Sequence, residues 1–268
     1  MICAKTSLIC CSNMPVYLDH NATSPMHPEV VEAILPFLHH PPGNPSSLHS
    51  DATQVAGKLA IDLSQLDVDA ISLSAHKLRG PQGVGALVVK RKPVRQLISG
   101  GEQENRRRGG TENVAGIVGL GKAAQLAGLE MEQRRHYLGQ LRDVFEARLA
   151  TIPGSVVFGQ QAPRLPNTTY FALPYYHGET LLMEMDRAGF ALSSGSACNS
   201  MVTEPSHVLK AMSIDDSLAL NAIRVSFGMD NSLRDVDLLF AKLQELVNKL
   251  PAVFRQAAVQ KRQLWEFN

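Results

Sequence analysis

Two stretches of this 268-residue chain combine residue types and spacings that do chemistry. The first is "SLSAHKLRGPQG", Ser72 to Gly83, where Lys77 closes an apolar run and follows Ser74 and His76. A lysine there can be desolvated, which lowers its pKa and makes it a nucleophilic amine able to form a Schiff base. The same residue could equally be a strand-end lysine pointing to water. The second is "SSGSACNS", Ser193 to Ser200, which carries Cys198 among small polar residues. Ser, Gly and Asn around it predict an exposed loop, and an exposed thiol near positive charge is reactive. A loop cysteine with no role is the alternative.

A third candidate is "DATQ", where Asp51 and Gln54 stand three apart. A carboxylate of this kind can face a protonated ring nitrogen, as pyridoxal phosphate chemistry requires. Asp before small residues also serves as a turn or helix cap.

The elements that must position these residues follow from pattern. "VDAISLS" (68–74) and "VGALVVK" (84–90) are short β-rich runs joined by a Gly/Pro turn and read as buried strands. "HPEVVEAILPFL" spaces Val30, Val31, Ile34, Leu35 and Leu38 as a helix, with Pro28 in its first turn. Residues 113–128 form an Ala/Gly/Leu-rich helix expected to be packed on both sides, followed by a charged amphipathic helix over 131–150. Strands are expected at 156–158 and 168–173, a helix around 179–188, and a short helix from Pro205. "AIRVSFG" then reads as a strand, and 233–250 as a last amphipathic helix. Alternating strands and helices indicate α/β architecture.

Composition narrows the partners. A net charge of +1 argues against a general nucleic-acid binder. No apolar run approaches the roughly 20 residues of a membrane span. Cysteines at positions 3, 10, 11 and 198 match neither a disulfide framework nor a paired zinc site, so a cytoplasmic setting and no metal are expected. Met14 looks like a natural start, which would make residues 1–13 an upstream extension expected to be disordered. "GIVGLGK", Gly116 to Lys122, has phosphate-loop spacing, but Ala123 follows where Ser or Thr would hold magnesium, and the segment reads as helix interior.

Taken in order, "YLDHNATSP", "GNPSS.H", "DATQ", "SLSAHK.RGPQGVGAL", "RRGGTEN", "SSGSAC.S" and "PSHVL.AM" resemble the cysteine desulfurases of the NifS/IscS group. These are class V aminotransferase relatives with the fold-type I architecture of pyridoxal phosphate enzymes. The resemblance implies that Lys77 carries the cofactor and shuttles protons, with Asp51 on the ring nitrogen and Gln54 on the ring hydroxyl. It further implies Ser74 and His76 on the phosphate, Thr111 reaching a partner subunit's phosphate in a homodimer, and Arg224 on the substrate carboxylate. Cys198 would take sulfur from L-cysteine as a persulfide and pass it to an acceptor such as an iron–sulfur scaffold protein.

The resemblance also implies a loss. Relatives carry a large segment between the "GNPSS.H" loop and "DATQ", with a phosphate-capping turn, a ring-stacking histidine and an asparagine. None of these is present, so Ser50 and Asp51 look like the lips of an internal deletion. The expected organisation is an extension (1–13), an N-terminal arm (14–50), a truncated large cofactor domain (51–131), an intact small C-terminal α/β domain (132–250) and a tail (251–268). Without the phosphate cup, the chain alone is expected to bind pyridoxal phosphate weakly or not at all. The alternative to a working desulfurase is therefore an impaired homologue that acts as an interaction subunit, paired with a full-length relative, or a gene remnant.

Overall fold

A three-stranded antiparallel sheet and two long helices hold most of the buried apolar surface. The computed structural model describes residues 16–20, 24, 26–30, 55–66, 68–90, 96, 98–173, 175–194 and 205–251. Asp51, Gln54 and Cys198 lie outside the described residues, as do the lips of the expected deletion and both chain ends. Within the described residues the elements are β1 (Val16–Tyr17), β2 (Ala70–Ser74), a 3-10 turn (Ala75–Leu78) and β3 (Gly85–Val89). Then come an irregular helical turn (Gln103–Arg106), α1 (Val114–Leu129), α2 (Met131–Leu149), β4 (Val156–Val157), β5 (Thr168–Ala172), α3 (Gly178–Arg187) and β6 (Phe190–Ala191). Helices α4 (His207–Ala211) and α5 (Asp216–Ala219), strand β7 (Ala222–Ser226) and α6 (Leu233–Asn248) complete the order.

The C-terminal sheet has the order β4-β5-β7, with Tyr170 opposite Arg224 and Phe171 opposite Ile223. Phe171, Ile223, Val225 and Phe227 bury their side chains together with Phe145, Leu141 and Leu149 of α2 and Leu239 and Leu243 of α6. Phe145 sits edge-on to Phe171 (5.7 Å) and to Phe227 (5.8 Å), the geometry that aromatic quadrupoles favour. A capping box starts α6: the Ser232 backbone N–H donates to Asp235 Oδ2 at 2.7 Å. Glu146, buried on α2, is satisfied by a forked Arg164 (2.7 and 2.8 Å) and by the Thr169 hydroxyl at 2.9 Å.

The N-terminal arm crosses this core. Strand β1 pairs in parallel with β6, and Asp19 bridges Ser226 of β7 in the next residues. Leu18 is fully buried in the C-terminal core, whereas Val30 is fully buried in a second one. That second core is small: Val30, Ala56, Ala75, Leu78, Val84, Leu120, Ala123, Leu126 and Ala127. It joins α1 to the 3-10 turn and to the β2–β3 hairpin.

Several expectations need correction. The two β-rich runs do form strands, but they pair only with each other among the described residues, antiparallel with Ser74 opposite Gly85. Only Ala70 and Ile71 of the hairpin strands are buried and Val88 is 38% exposed: Leu73 and Ala86 pack against the core that includes α1, but no further strand of the described residues pairs with the hairpin. Helix α1 is not packed on both sides: Leu129 is 78% exposed, and Gly121 and Gly128 face open space. Strand β6 and the short helix α5 were not anticipated. Residues 28–30 are helical, and the rest of that expected helix lies outside the described residues. "GIVGLGK" is helix interior, with Lys122 paired to Glu29 at 2.8 Å.

Candidate active site

Strand β2 delivers Lys77 into a confined place. The chain leaves Ser74 in extended geometry and turns through Ala75–Leu78, and Arg79 closes the turn in the left-handed region (φ 66°). The Gly80 N–H donates to the Ala75 carbonyl at 2.9 Å, which fixes the turn. Ala75 and Leu78 are buried against α1, so His76 and Lys77, between them in sequence, are left half-buried. Burial, and then the neighbouring Lys77, lower the pKa of His76 below its ordinary value.

A second lysine is brought to the same place. Lys58 follows Gly57, whose left-handed backbone (φ 74°) lets the 55–58 turn dock close to Leu78 and Ala127. A side chain on Gly57 would meet Leu78 Cδ2 at 2.9 Å and Ala127 Cβ at 3.2 Å. Lys58 is 7% exposed, and its pKa falls to about 7. Burial is the main cause, and the charges of Lys77 and Arg224 add to it.

Arg224 comes from the other core. It lies mid-strand on β7, and its guanidinium pairs with Asp19 at 2.8 Å, both side chains being largely buried. A second ion pair spans the cores, Arg79 to Asp230 at 2.7 Å. Between them sits His20, 3% exposed, its ring edge-on to Tyr17 at 4.8 Å. The ring rests on Gly228, where a Cβ would come within 2.2 Å of Nδ1. Burial lowers the His20 pKa, Asp230 and the Tyr17 backbone oppose the shift, and Arg79 and Lys58 reinforce it. His20 Nε2 and Arg79 Nε are buried without a hydrogen-bond partner among the described residues.

Of the residues singled out from sequence, Ser74, His76 and Lys77 share one turn, and Arg224 and Lys77 both act on Lys58. Thr111 is exposed on the segment leading into α1. Ser193 pairs with Arg224 through both backbone groups (2.6 and 3.3 Å), so the chain departs toward Cys198 from beside that arginine. Tyr170, whose hydroxyl donates to the Ser194 carbonyl at 3.3 Å, has its pKa raised chiefly by burial. Sequence reasoning missed Lys58, His20, Asp19, Arg79 and Asp230. For Lys58 no local signal was available, since burial beside charges from other segments is what sets it apart. For the two ion pairs there was none, since 205 and 151 residues separate the partners.

Residues 44–239 match the sequence pattern of the family described as aminotransferase class-V. A cysteine desulfurase IscS of Dictyoglomus turgidum is 41% identical over 210 residues, 76% of this chain and 52% of that protein. A cysteine desulfurase of Klebsiella pneumoniae is 43% identical over 207 residues, again 76% of this chain and 52% of the relative. Among solved structures, a NifS-like protein from Rickettsia africae superposes with a TM-score of 0.68 at 30% identity, covering 75% of this chain and 53% of that one. The chain thus spans about half the length of the relatives it matches.

Proposed function

We infer, because the chain belongs to the aminotransferase class-V family and has the fold-type I architecture of pyridoxal phosphate enzymes, that its site is a cysteine desulfurase site. The substrate would be L-cysteine, and the products L-alanine and a sulfur atom carried on Cys198 to an acceptor protein. The observation that carries this reading is the convergence of Lys77, Lys58 and Arg224 from three separate segments on one largely buried, electropositive place.

The described residues fit an anionic cofactor. Lys58, Lys77 and Arg224 influence one another there, Arg224 pairs with Asp19 and Arg79 with Asp230, and buried His20 Nε2 and Arg79 Nε have no hydrogen-bond partner among the described residues. A phosphate or carboxylate oxygen would accept from the Arg79 Nε–H and from His20 Nε2 where that nitrogen carries the proton. Lys77 would hold pyridoxal phosphate covalently, Ser74 and His76 its phosphate, and Asp51 and Gln54 its ring, with Thr111 extending to a second subunit of a homodimer. When bound, the cofactor supplies an electron sink for charge developing at the substrate α-carbon. Arg224 would orient the substrate carboxylate with its planar fork, in exchange for Asp19. Lys77, as the free amine, would move the α-proton. The Cys198 thiolate would attack the substrate sulfur, so that an S–S bond forms as the C–S bond breaks.

The protein would work in the cytoplasm, handing sulfur to an iron–sulfur scaffold or another acceptor. No helix among the described residues is long and apolar enough to cross a membrane.

A second reading is favoured by a specific observation. An apolar cavity of about 230 Å3, lined by Gly57, Ile71, Leu73, Leu78 and Ala127 among others, lies open beside the Lys77 turn. An incomplete cofactor lobe would make the chain an interaction subunit, pairing with a full-length relative without turnover of its own. Visible absorption with added pyridoxal phosphate, for wild type and Lys77→Ala, separates the two. A Lys77-dependent cofactor band, needing cofactor in excess, is expected from the first reading. No band, or one that survives the substitution, would leave only the second.

A further inference from the structure

We propose that Tyr170 is a positioning residue for the reaction inferred above: its hydroxyl bridges the two stems of the segment that carries Cys198, and so fixes the root of the nucleophile's arm beside Arg224. The inference rests on the desulfurase reading for the chemistry at Cys198, and on the stems for its geometry. Cys198 falls within residues 195–204, and the described residues border that stretch at Ser194 on one side and at Pro205 and Ser206 on the other.

Strand β5 aims Tyr170 at this place. Tyr170 stands opposite Arg224 in the antiparallel register, so the two side chains leave the same face of the sheet. The Tyr170 ring lies edge-on to Phe158 at 5.5 Å and packs against a third, small core that includes Phe158, Ala172, Ala222 and Leu209. Leu209 belongs to α4, so this core also seats the returning stem. At its other end Tyr170 is polar. The hydroxyl donates to the Ser194 carbonyl, on the departing stem, at 3.3 Å. The Ser206 side chain, buried where α4 begins, hydrogen-bonds the same hydroxyl.

Arg224 ties this bridge to the substrate. Ser193 exchanges both backbone hydrogen bonds with Arg224, at 2.6 and 3.3 Å. The residue that would hold the substrate carboxylate therefore also holds the root of the arm that would attack the substrate sulfur. Cys198 follows Ser194 by four positions. A short arm fixed at both roots keeps its thiol at high effective concentration near the substrate anchor, and freeing the roots dilutes it.

Two substitutions separate the ring from the hydroxyl. Tyr170→Phe keeps the ring on its core and removes only the bridge, whereas Tyr170→Leu removes both. Hydrogen exchange of the full chain, followed by NMR without cofactor, reads the bridge. In Tyr170→Phe, exchange should quicken about fivefold at the Ser193 N–H, which donates to Arg224, and at the Lys210 N–H, which donates to Ser206. The Phe227 N–H, bonded to Asn167 on the same sheet, should not change. If Tyr170→Phe matches wild type at either stem while Tyr170→Leu loosens it, only the ring matters and the proposal falls. An equal rise at all three amides would overturn it too.

Alkylation of the cofactor-free chain, resolved by peptide mass spectrometry, reads the position. Iodoacetate is anionic and iodoacetamide neutral, so a thiol rooted beside Arg224 should favour iodoacetate more than Cys3, Cys10 and Cys11 do. Tyr170→Phe should shrink that preference by about twofold. A wild-type preference at Cys198 equal to that of the other three, or one unchanged in Tyr170→Phe, would overturn the proposal. Neither readout needs cofactor or turnover, so a chain without desulfurase activity still shows the bridge, and the two readings can fail separately.

Discussion

The two largest hydrophobic cores among the described residues differ in what they are made of. The C-terminal core is built from large side chains, with Phe145, Phe171, Phe227, Leu141, Leu149, Met185 and Leu239 all at zero exposure. The core around the Lys77 turn rests on Ala56, Ala75, Ala123 and Ala127 with a few leucines and valines, and has a cavity beside it. At about 25 cal/mol per Å2 of buried apolar surface, side chains that are small and partly exposed contribute little. The first region closes its own surface. The second presents a two-stranded hairpin and one helix face to solvent, as a half-built lobe would.

This contrast can be broken by a single deletion of volume. Phe145 touches the rings of Phe171 and Phe227, so Phe145→Ala should cost about 4 kcal/mol. Native-state hydrogen exchange would show where that loss falls. Protection should drop at β5 and β7 and stay unchanged at β2 and β3, where it is expected to be low from the start. Equal losses in both places would mean that the cores unfold as one unit.

Charge burial sharpens the comparison from the other side. In the unfolded chain Lys58 titrates near 10.5, and in the folded chain near 7, so between these values the unfolded state binds more protons. Stability contributed by this group therefore rises with pH from 7 to 10.5, and the full penalty is present below 7. The shift caps that penalty at about 5 kcal/mol, and relaxation around the amine should leave roughly 3. Lys58→Met is expected to stabilise the protein by that amount at pH 6 and by progressively less toward pH 10, in urea denaturation. A pH-independent gain would mean that Lys58 is not buried as a strained cation.

How much of this was legible in the sequence follows the same divide. In the C-terminal region the strands at 168–172 and 222–226 and the helices over 131–149 and 233–248 were read to within a residue or two. There apolar periodicity and tertiary burial point the same way. Around Lys77 the strands were found, but their cover was misjudged, because runs like "GALVV" carry no mark of whether a neighbour exists. Lys77 and Arg224 were legible through motifs. Lys58 and His20 were not weighed, because what makes them unusual is burial beside distant charges. No local pattern of residue types encodes that.

The smallest expected effect asks the most direct question about the open lobe. Gly128 is helical, lies in α1, lines the cavity, and would meet nothing within 4 Å on gaining a Cβ. Replacing it with alanine should stabilise the protein by about 0.5–1 kcal/mol, through the helix preference of alanine and the lower entropy of the unfolded chain. Gly121, on the same helix and equally unobstructed but away from the cavity lining, gives the reference value. Equal gains at both positions in urea denaturation would mean that the cavity is as open to water as the helix surface. A destabilising Gly128→Ala beside a stabilising Gly121→Ala would mean that something in solution already fills the space, so that the second core is not half-built but covered.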